Sequence, residues 1–174
     1  IFNDTYKLEP GCYYEYDLES KRGKSYSYWD VLDAYKKPKL AISFNEAKDM
    51  LEAELETSFQ YRMVADVPIG IFLSSGVDSS LVAALLQKKN TQKLKTFTIG
   101  VHSKEYNEAV AAKEIAAILG TDHTELYCTE QDALNCIQDL PYIYDEPTID
   151  TSVIPTLLVS RLARESVSVA LSAD

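Results

Sequence analysis

The chain has 174 residues, 46% of them hydrophobic, enough to bury a core and consistent with one domain. Its formal net charge of −10 argues against a nucleic-acid surface, whose footprint is a basic stripe, and no apolar run approaches membrane-spanning length. No charged-then-apolar leader opens the sequence, so the expected location is the cytoplasm, without a nucleic-acid or membrane partner.

Residues 1–40 are irregular and rich in aromatics, with Tyr6, Tyr13, Tyr14, Tyr16, Tyr26, Tyr28, Trp29 and Tyr35. Gly11 and Gly23 punctuate two short runs, Cys12–Asp17 and Ser25–Trp29, which predict a two-stranded ribbon or extended arm. An aromatic-lined groove is the sharper alternative to plain packing of such an arm on a domain. Lys36-Lys37-Pro38-Lys39 reads as a linker. Ser43 and Glu46 then form a capping box, predicting an amphipathic helix to about Ala65. Its stripe of Phe44, Ala47, Leu51, Leu55, Phe59 and Met63 is expected to face a core, with Lys48, Glu52, Glu54, Glu56 and Arg62 on the solvated side.

A regular alternation follows. Ile69 to Leu73 reads as a buried strand, Ser74–Gly76 as a small-residue turn, and the following residues through Leu86 as a helix. Leu94–Val101 predicts a second strand, followed by a helix capped by Asn107, with apolar positions Val110, Ile115, Ile118 and Leu119 and a stop at Gly120. His123–Cys128 predicts a third strand, Thr129 caps a helix carrying Ala133, Leu134 and Ile137, and residues 140–151 form a loop. Ile154, Leu157, Leu158 and Leu162 mark a last helix, and Val167–Leu171 a last strand. Alternation at this spacing implies right-handed crossovers and a parallel sheet covered on both faces, a three-layer α/β/α architecture. Ligands of such sheets sit beyond the carboxyl ends of the strands where strand order reverses. The turns Ser74–Asp78, Gly100–Asn107 and Ser172–Asp174 are therefore where chemistry is expected.

The first of these turns is an anion site in outline. A strand feeding directly into a helix leaves the first helical N–H groups without partners, and small residues let a phosphate approach them. Asp78, Ser79 and Ser80 fall where the helix opens, so they either cap it or face a bound phosphate and its metal. Cys12, Cys128 and Cys136 lack paired spacing, and His102 and His123 lie on separate elements, so a disulfide framework or metal site of these residues is not expected. Asp145, Glu146 and Asp150 form an acidic cluster whose plain reading is a solvated loop.

The run Ser74-Ser75-Gly76-Val77-Asp78-Ser79 resembles the S-G-G-x-D-S signature of the PP-loop ATP pyrophosphatases. Asp66-Val67-Pro68-Ile69-Gly70, Tyr144-Asp145-Glu146-Pro147, Asp150-Thr151-Ser152 and Ile154-Pro155-Thr156 are similar to the synthetase domain of glutamine-hydrolysing asparagine synthetases. Val169-Ala170-Leu171-Ser172-Ala173-Asp174 resembles the start of that family's S-G-(D/E)-G-x-D-E loop. Leu8-Glu9-Pro10-Gly11 and Tyr28-Trp29-Asp30 resemble the stretch joining its glutaminase and synthetase domains.

The resemblance implies a PP-loop fold in residues 41–174, the N-terminal part of an ATP-binding synthetase domain, after an arm at 1–40 that follows an absent glutaminase domain. It implies ATP and Mg²⁺ as cofactors. The substrates would be aspartate or another carboxylate, with ammonia from glutamine, and the product an amide formed through an acyl-adenylate. Asp78 would hold Mg²⁺. Ser74, Ser75, Gly76, Val77, Ser79 and Ser80 would surround the phosphates through main-chain amides and hydroxyls. Leu73, Ile99, Ser172 and Ala173 would hold adenine and ribose through main-chain groups, and Asp174 would approach the amino-acid substrate. A homodimer is compatible with the resemblance. Ser75 and Ala173 replace glycines of the signatures: where position 75 requires a positive φ or very close phosphate approach, Ser75 would strain the turn or weaken binding, and Ala173 adds a methyl group where ATP would contact the backbone. Ile1 is not an initiator methionine, and the family's second metal-binding acid and catalytic lysine follow the position of Asp174. The expectation is a piece of a longer protein that does not form the acyl-adenylate alone. A β-lactam synthetase-like or sugar-acid-amidating ligase, or a noncatalytic nucleotide-binding module, are the alternatives.

Overall fold

A computed structural model describes residues 2–102 and 107–173, which fall into two compact units, 1–47 and 48–174. In the first, β1 (Cys12–Asp17) and β2 (Arg22–Ser27) pair antiparallel as a ribbon, followed by α1 (Val31–Lys36). The second strand lies earlier than the expected Ser25–Trp29, because Tyr28 and Trp29 leave the ladder and donate their amides to the Gly11 carbonyl at 2.8 and 3.2 Å. Tyr13 stacks on Tyr26 across the ribbon at 5.2 Å between ring centroids.

Helix α2 (Phe44–Arg62) opens on the expected capping box: the Ser43 amide and hydroxyl donate to Glu46 at 2.8 Å, and the Glu46 amide donates back to Ser43 Oγ at 3.3 Å. Its apolar stripe is covered only at the carboxyl end, where Phe59 and Met63 pack on the core; Phe44 and Leu51 are exposed. Its acidic side is not simply solvated either. Glu52 pairs with Lys88 at 2.8 Å and Glu56 with Lys89 at 2.6 Å, tying α2 to α3 (Val77–Lys89).

The second unit contains a four-stranded sheet of β3 (Ile69–Phe72), β4 (Lys95–Val101), β5 (Asp122–Cys128) and β6 (Val169–Leu171), in the order β5-β4-β3-β6 with every pair parallel. Right-handed crossovers explain the layering. The chain steps outward from β3 to β4 to β5 through α3 and α4 (Ala109–Leu119). It then returns past β3 through α5 (Glu130–Ile137), the short α6 (Leu140–Ile143) and α7 (Val153–Arg164). Reversal of direction sends the return helices to the opposite face. One core cluster accordingly joins Ile71, Leu73, Val82, Leu86, Ala112 and Ala116, and the other joins Phe97, Val159, Ala163 and Val167. The α/β/α expectation holds for this unit.

Local signals account for most boundaries. Gly120 takes a left-handed φ of 73°, and its amide and that of Thr121 return to Ala117 and Ala116 at 3.3 and 3.1 Å, the bonding of a Schellman stop. Thr129 and Asp132 form a capping box at α5. Asn107 Oδ1 accepts from the Ala109 amide at 3.2 Å, as expected for the start of α4. The buried face of α4 differs from the expected one. Ala109, Ala112 and Ala116 are buried, whereas Val110 and Ile118 are exposed. Close approach to the sheet selects small side chains: a Cβ on Gly100 would stand 2.9 Å from the Ala109 Cβ and 2.8 Å from the Tyr127 ring.

Candidate active site

A cavity of about 410 Å³ opens at the carboxyl ends of β3, β4 and β6, where strand order reverses. Of the residues marked from sequence, Leu73, Ser74, Gly76, Asp78, Ser79, Ile99, Ser172 and Ala173 line it. Ser75, Val77 and Ser80 do not. Asp174 lies outside the described residues, as do Ser103–Tyr106 of the turn after β4.

The turn between β3 and α3 is held by its own serines. Ser74 and Ser79 hydroxyls lie 2.7 Å apart, the Ser74 amide donates to Ser79 Oγ at 3.1 Å, and the Gly76 amide donates to Ser74 Oγ at 3.1 Å. Ser80 is turned inward onto the helix: its hydroxyl donates to the Gly76 carbonyl at 2.7 Å. Val77 is 80% exposed and its side chain points away from the cavity. Gly76, at φ −70°, is the N-cap, and no side chain caps α3, so Asp78 does not serve as the cap. Of the expected Ser75–Ser80 donors, the Ser75, Gly76 and Ser80 amides are already engaged. Those of Val77, Asp78 and Ser79 belong to the first turn and have no intrahelical acceptor. Their partial positive charge sits beside the Asp78 carboxylate.

The expected strain at Ser75 is absent, since the positive-φ non-glycine residues are Asp4 and Lys21. Ser75 instead donates its hydroxyl and amide to one oxygen of Glu108, at 3.1 and 3.4 Å. Ala173 packs its methyl against the core cluster of α3 and α4 while lining the cavity.

Main-chain groups shape the other side of the cavity. The Leu73 amide donates to the Phe97 carbonyl at 2.9 Å, and the Leu73 carbonyl accepts from Thr98 Oγ1, so both polar groups of Leu73 are engaged at the sheet end. Ile99 is two residues beyond Phe97, and residues two apart in a strand present their N–H and C=O toward the same neighbour. Strand β3 has already ended there, so the Ile99 main chain faces the space beyond Leu73, which is the cavity.

Sequence reasoning missed Glu108, Thr98, Pro155 and Thr156 as lining residues. Glu108 follows a turn and gave no periodic signal. Pro155 and Thr156 belong to the first turns of α7, which the preceding loop delivers to the cavity. Asp150 shapes that loop, accepting from the Ser152 amide and hydroxyl at 2.8 Å each, and these bonds hold its carboxyl below the usual carboxylate range. Asp145, Glu146 and Asp150 do not line the cavity.

A sequence profile described as asparagine synthase matches residues 50–174. The chain belongs to the asparagine synthase family. It is 37% identical to a putative glutamine-hydrolyzing asparagine synthetase 2 of Methanocaldococcus jannaschii over 100% of this chain and 33% of that protein. Asparagine synthetase [glutamine-hydrolyzing] 1 of Bacillus subtilis is 34% identical over 67% of this chain and 18% of its own length. The chain thus spans a third or less of these relatives. Among solved structures, the NH3-dependent NAD synthetase of Campylobacter jejuni aligns at a TM-score of 0.51 and 13% identity, covering 72% of this chain and 56% of that one. This likeness shows the fold alone, an α/β architecture with a parallel sheet. No helix among the described residues is long and apolar enough to cross a membrane.

Proposed function

We propose that the cavity is the ATP seat of an amide-forming ligase acting on the aspartate side chain. A carboxylate oxygen attacks the α-phosphorus, the α–β phosphoanhydride bond breaks, and pyrophosphate leaves. Ammonia then attacks the acyl carbon of β-aspartyl-AMP, loses a proton and displaces AMP, giving asparagine. One observation carries this reading: the amino end of α3 and Ile99, at the end of β4 beyond the last residue of β3, line the same cavity at the reversal of strand order. An N–H and C=O pair there suits the edge of an adenine, and the free first-turn amides suit the phosphates.

The residues present also suit Mg²⁺, which takes oxygen ligands, commonly one or two carboxylates with phosphate oxygens completing the shell. Asp78 lines the cavity without a side-chain cap to make, and it would hold the ion. When bound, Mg²⁺ supplies positive charge for the polyphosphate. The chain's own contribution is orientation and electrostatics: Val77, Asp78 and Ser79 amides favour charge gathering on the departing pyrophosphate, and the Ser74–Ser79 pair keeps the turn in place. Among the described residues lining the cavity there is no Lys or Arg, so these residues form the nucleotide side of the site and not its whole charge balance.

Calorimetric titration with ATP tests the reading. Mg²⁺-dependent binding should weaken about tenfold or more in Asp78→Asn, while the denaturation midpoint stays within the small range of surface substitutions. Equal binding by both proteins, or binding indifferent to Mg²⁺, would remove Asp78 from the metal site.

A further inference from the structure

The phosphate turn carries an anion of its own. Glu108 lies 33 residues from Ser75 in sequence, yet its Oε2 accepts both the Ser75 hydroxyl and the Ser75 amide. The fold brings it there. Gly100 has no side chain, Ala109 is fully buried against it, and the start of α4 is thereby seated against the end of β4 with Glu108 at the rim of the cavity. The hydroxyl half of the contact exists because position 75 is serine; a glycine there, as in the signature, would leave the carboxylate a single amide donor.

We infer that Glu108 is a latch on the phosphate turn, a carboxylate that competes with incoming phosphate for the Ser75 donors and so sets nucleotide affinity and its dependence on a divalent cation. The inference rests on the proposed ATP seat. Two anions do not share one hydroxyl and one amide at hydrogen-bond distance without repelling each other, so phosphate that reaches Ser75 displaces Glu108. The displaced carboxylate remains at a cavity that Asp78 also lines, adding to the negative charge a bound polyphosphate meets. A divalent cation relieves that repulsion. Removal of the Glu108 charge therefore favours metal-free nucleotide more than metal-bound nucleotide. No bond is made or broken in this exchange beyond hydrogen bonds.

The test is calorimetric titration of the protein and its Glu108→Gln, Glu108→Ala and Glu114→Gln variants with ATP, with and without Mg²⁺. Glu114 is an exposed residue of α4, and its substitution changes net charge by the same amount. Both Glu108 variants should bind metal-free ATP about tenfold tighter than the unmodified protein, the gain shrinking when Mg²⁺ is present, and Glu114→Gln should match the unmodified protein. Unchanged or weaker binding by the Glu108 variants overturns the latch while leaving the ATP seat in place. An equal gain in Glu114→Gln also overturns it, because long-range charge would then explain the effect. Absence of ATP binding by every protein, with and without Mg²⁺, overturns the ATP seat and the latch together.

Discussion

The two ends of the same parallel sheet handle polar side chains in opposite ways. At the amino end, Thr96 at the start of β4 is fully buried; its hydroxyl lies 2.9 Å from Thr121 Oγ1 and 2.9 Å from His123 Nδ1 on β5, while Glu125 pairs with Lys113 of α4. The three side chains on Thr96, Thr121 and His123 bond to one another, while His123 Nε2 and Glu125 Oε2 are buried without a hydrogen-bond partner among the described residues. At the carboxyl end, serines, the carboxylates of Asp78 and Glu108 and main-chain groups converge on a cavity with first-turn amides to spare. Hydroxyls that bond one another within the sheet, as Thr96 and Thr121 do, stabilise a fold; donors left facing a space can bind.

The largest expected effect tests whether both ends share one core. Phe97, 1% exposed, packs under α7 and also lines the cavity. Phe97→Ala should cost about 3–5 kcal/mol in denaturant unfolding. A loss below 1 kcal/mol would mean that the sheet interior does not hold the ends together.

Two glycines sharpen the contrast. A Cβ on Gly70 would lie 2.5 Å from the Phe97 ring and 3.2 Å from Val167, so Gly70→Ala should destabilise by about 1–3 kcal/mol through overpacking. Gly76 sits at an ordinary negative φ, and its added Cβ would meet only Ser74 Oγ, at 3.1 Å. Gly76→Ala should therefore leave thermal stability nearly unchanged and weaken ATP titration instead. The reverse ordering of the two melting temperatures would undo the division between structural and binding ends.

The smallest effect concerns pH at the amino end. Burial pushes the His123 imidazole below its ordinary value, so the native state disfavours the proton that the unfolded chain accepts. Stability is then fully present above the unfolded value near 6.5 and declines as pH falls below it, ahead of the losses of the hydrogen-bonded carboxylates Glu46, Asp132 and Asp150 at lower pH. His123→Asn, whose side-chain amide can stand near the Nδ1 position, should flatten the melting temperature between pH 7 and 5. A slope equal to that of the unmodified protein would assign the acid sensitivity to other groups.

The capping box at Ser43, the cap at Thr129, the Gly120 stop and the alternation of strand and helix were readable in sequence because each depends on residues within one turn or one strand of each other. The buried face of α4 was not, because close packing on the sheet favoured Ala109, Ala112 and Ala116 over the larger Val110 and Ile118. The role of Glu52 and Glu56 depended on Lys88 and Lys89 from another helix.

The same division runs through the site. The chain's own order of residues specified a small-residue turn between a strand and a helix, with Asp78 and Ser79 at the helix start, since strand, turn and helix are local patterns. Which donors remained available was settled by folding. Ser80 bonded back to Gly76, Ser74 and Ser79 paired, and Glu108 reached Ser75 across 33 residues because α4 seats on Gly100. Proximity across that distance is a property of sheet order and helix packing, and no local pattern encodes it.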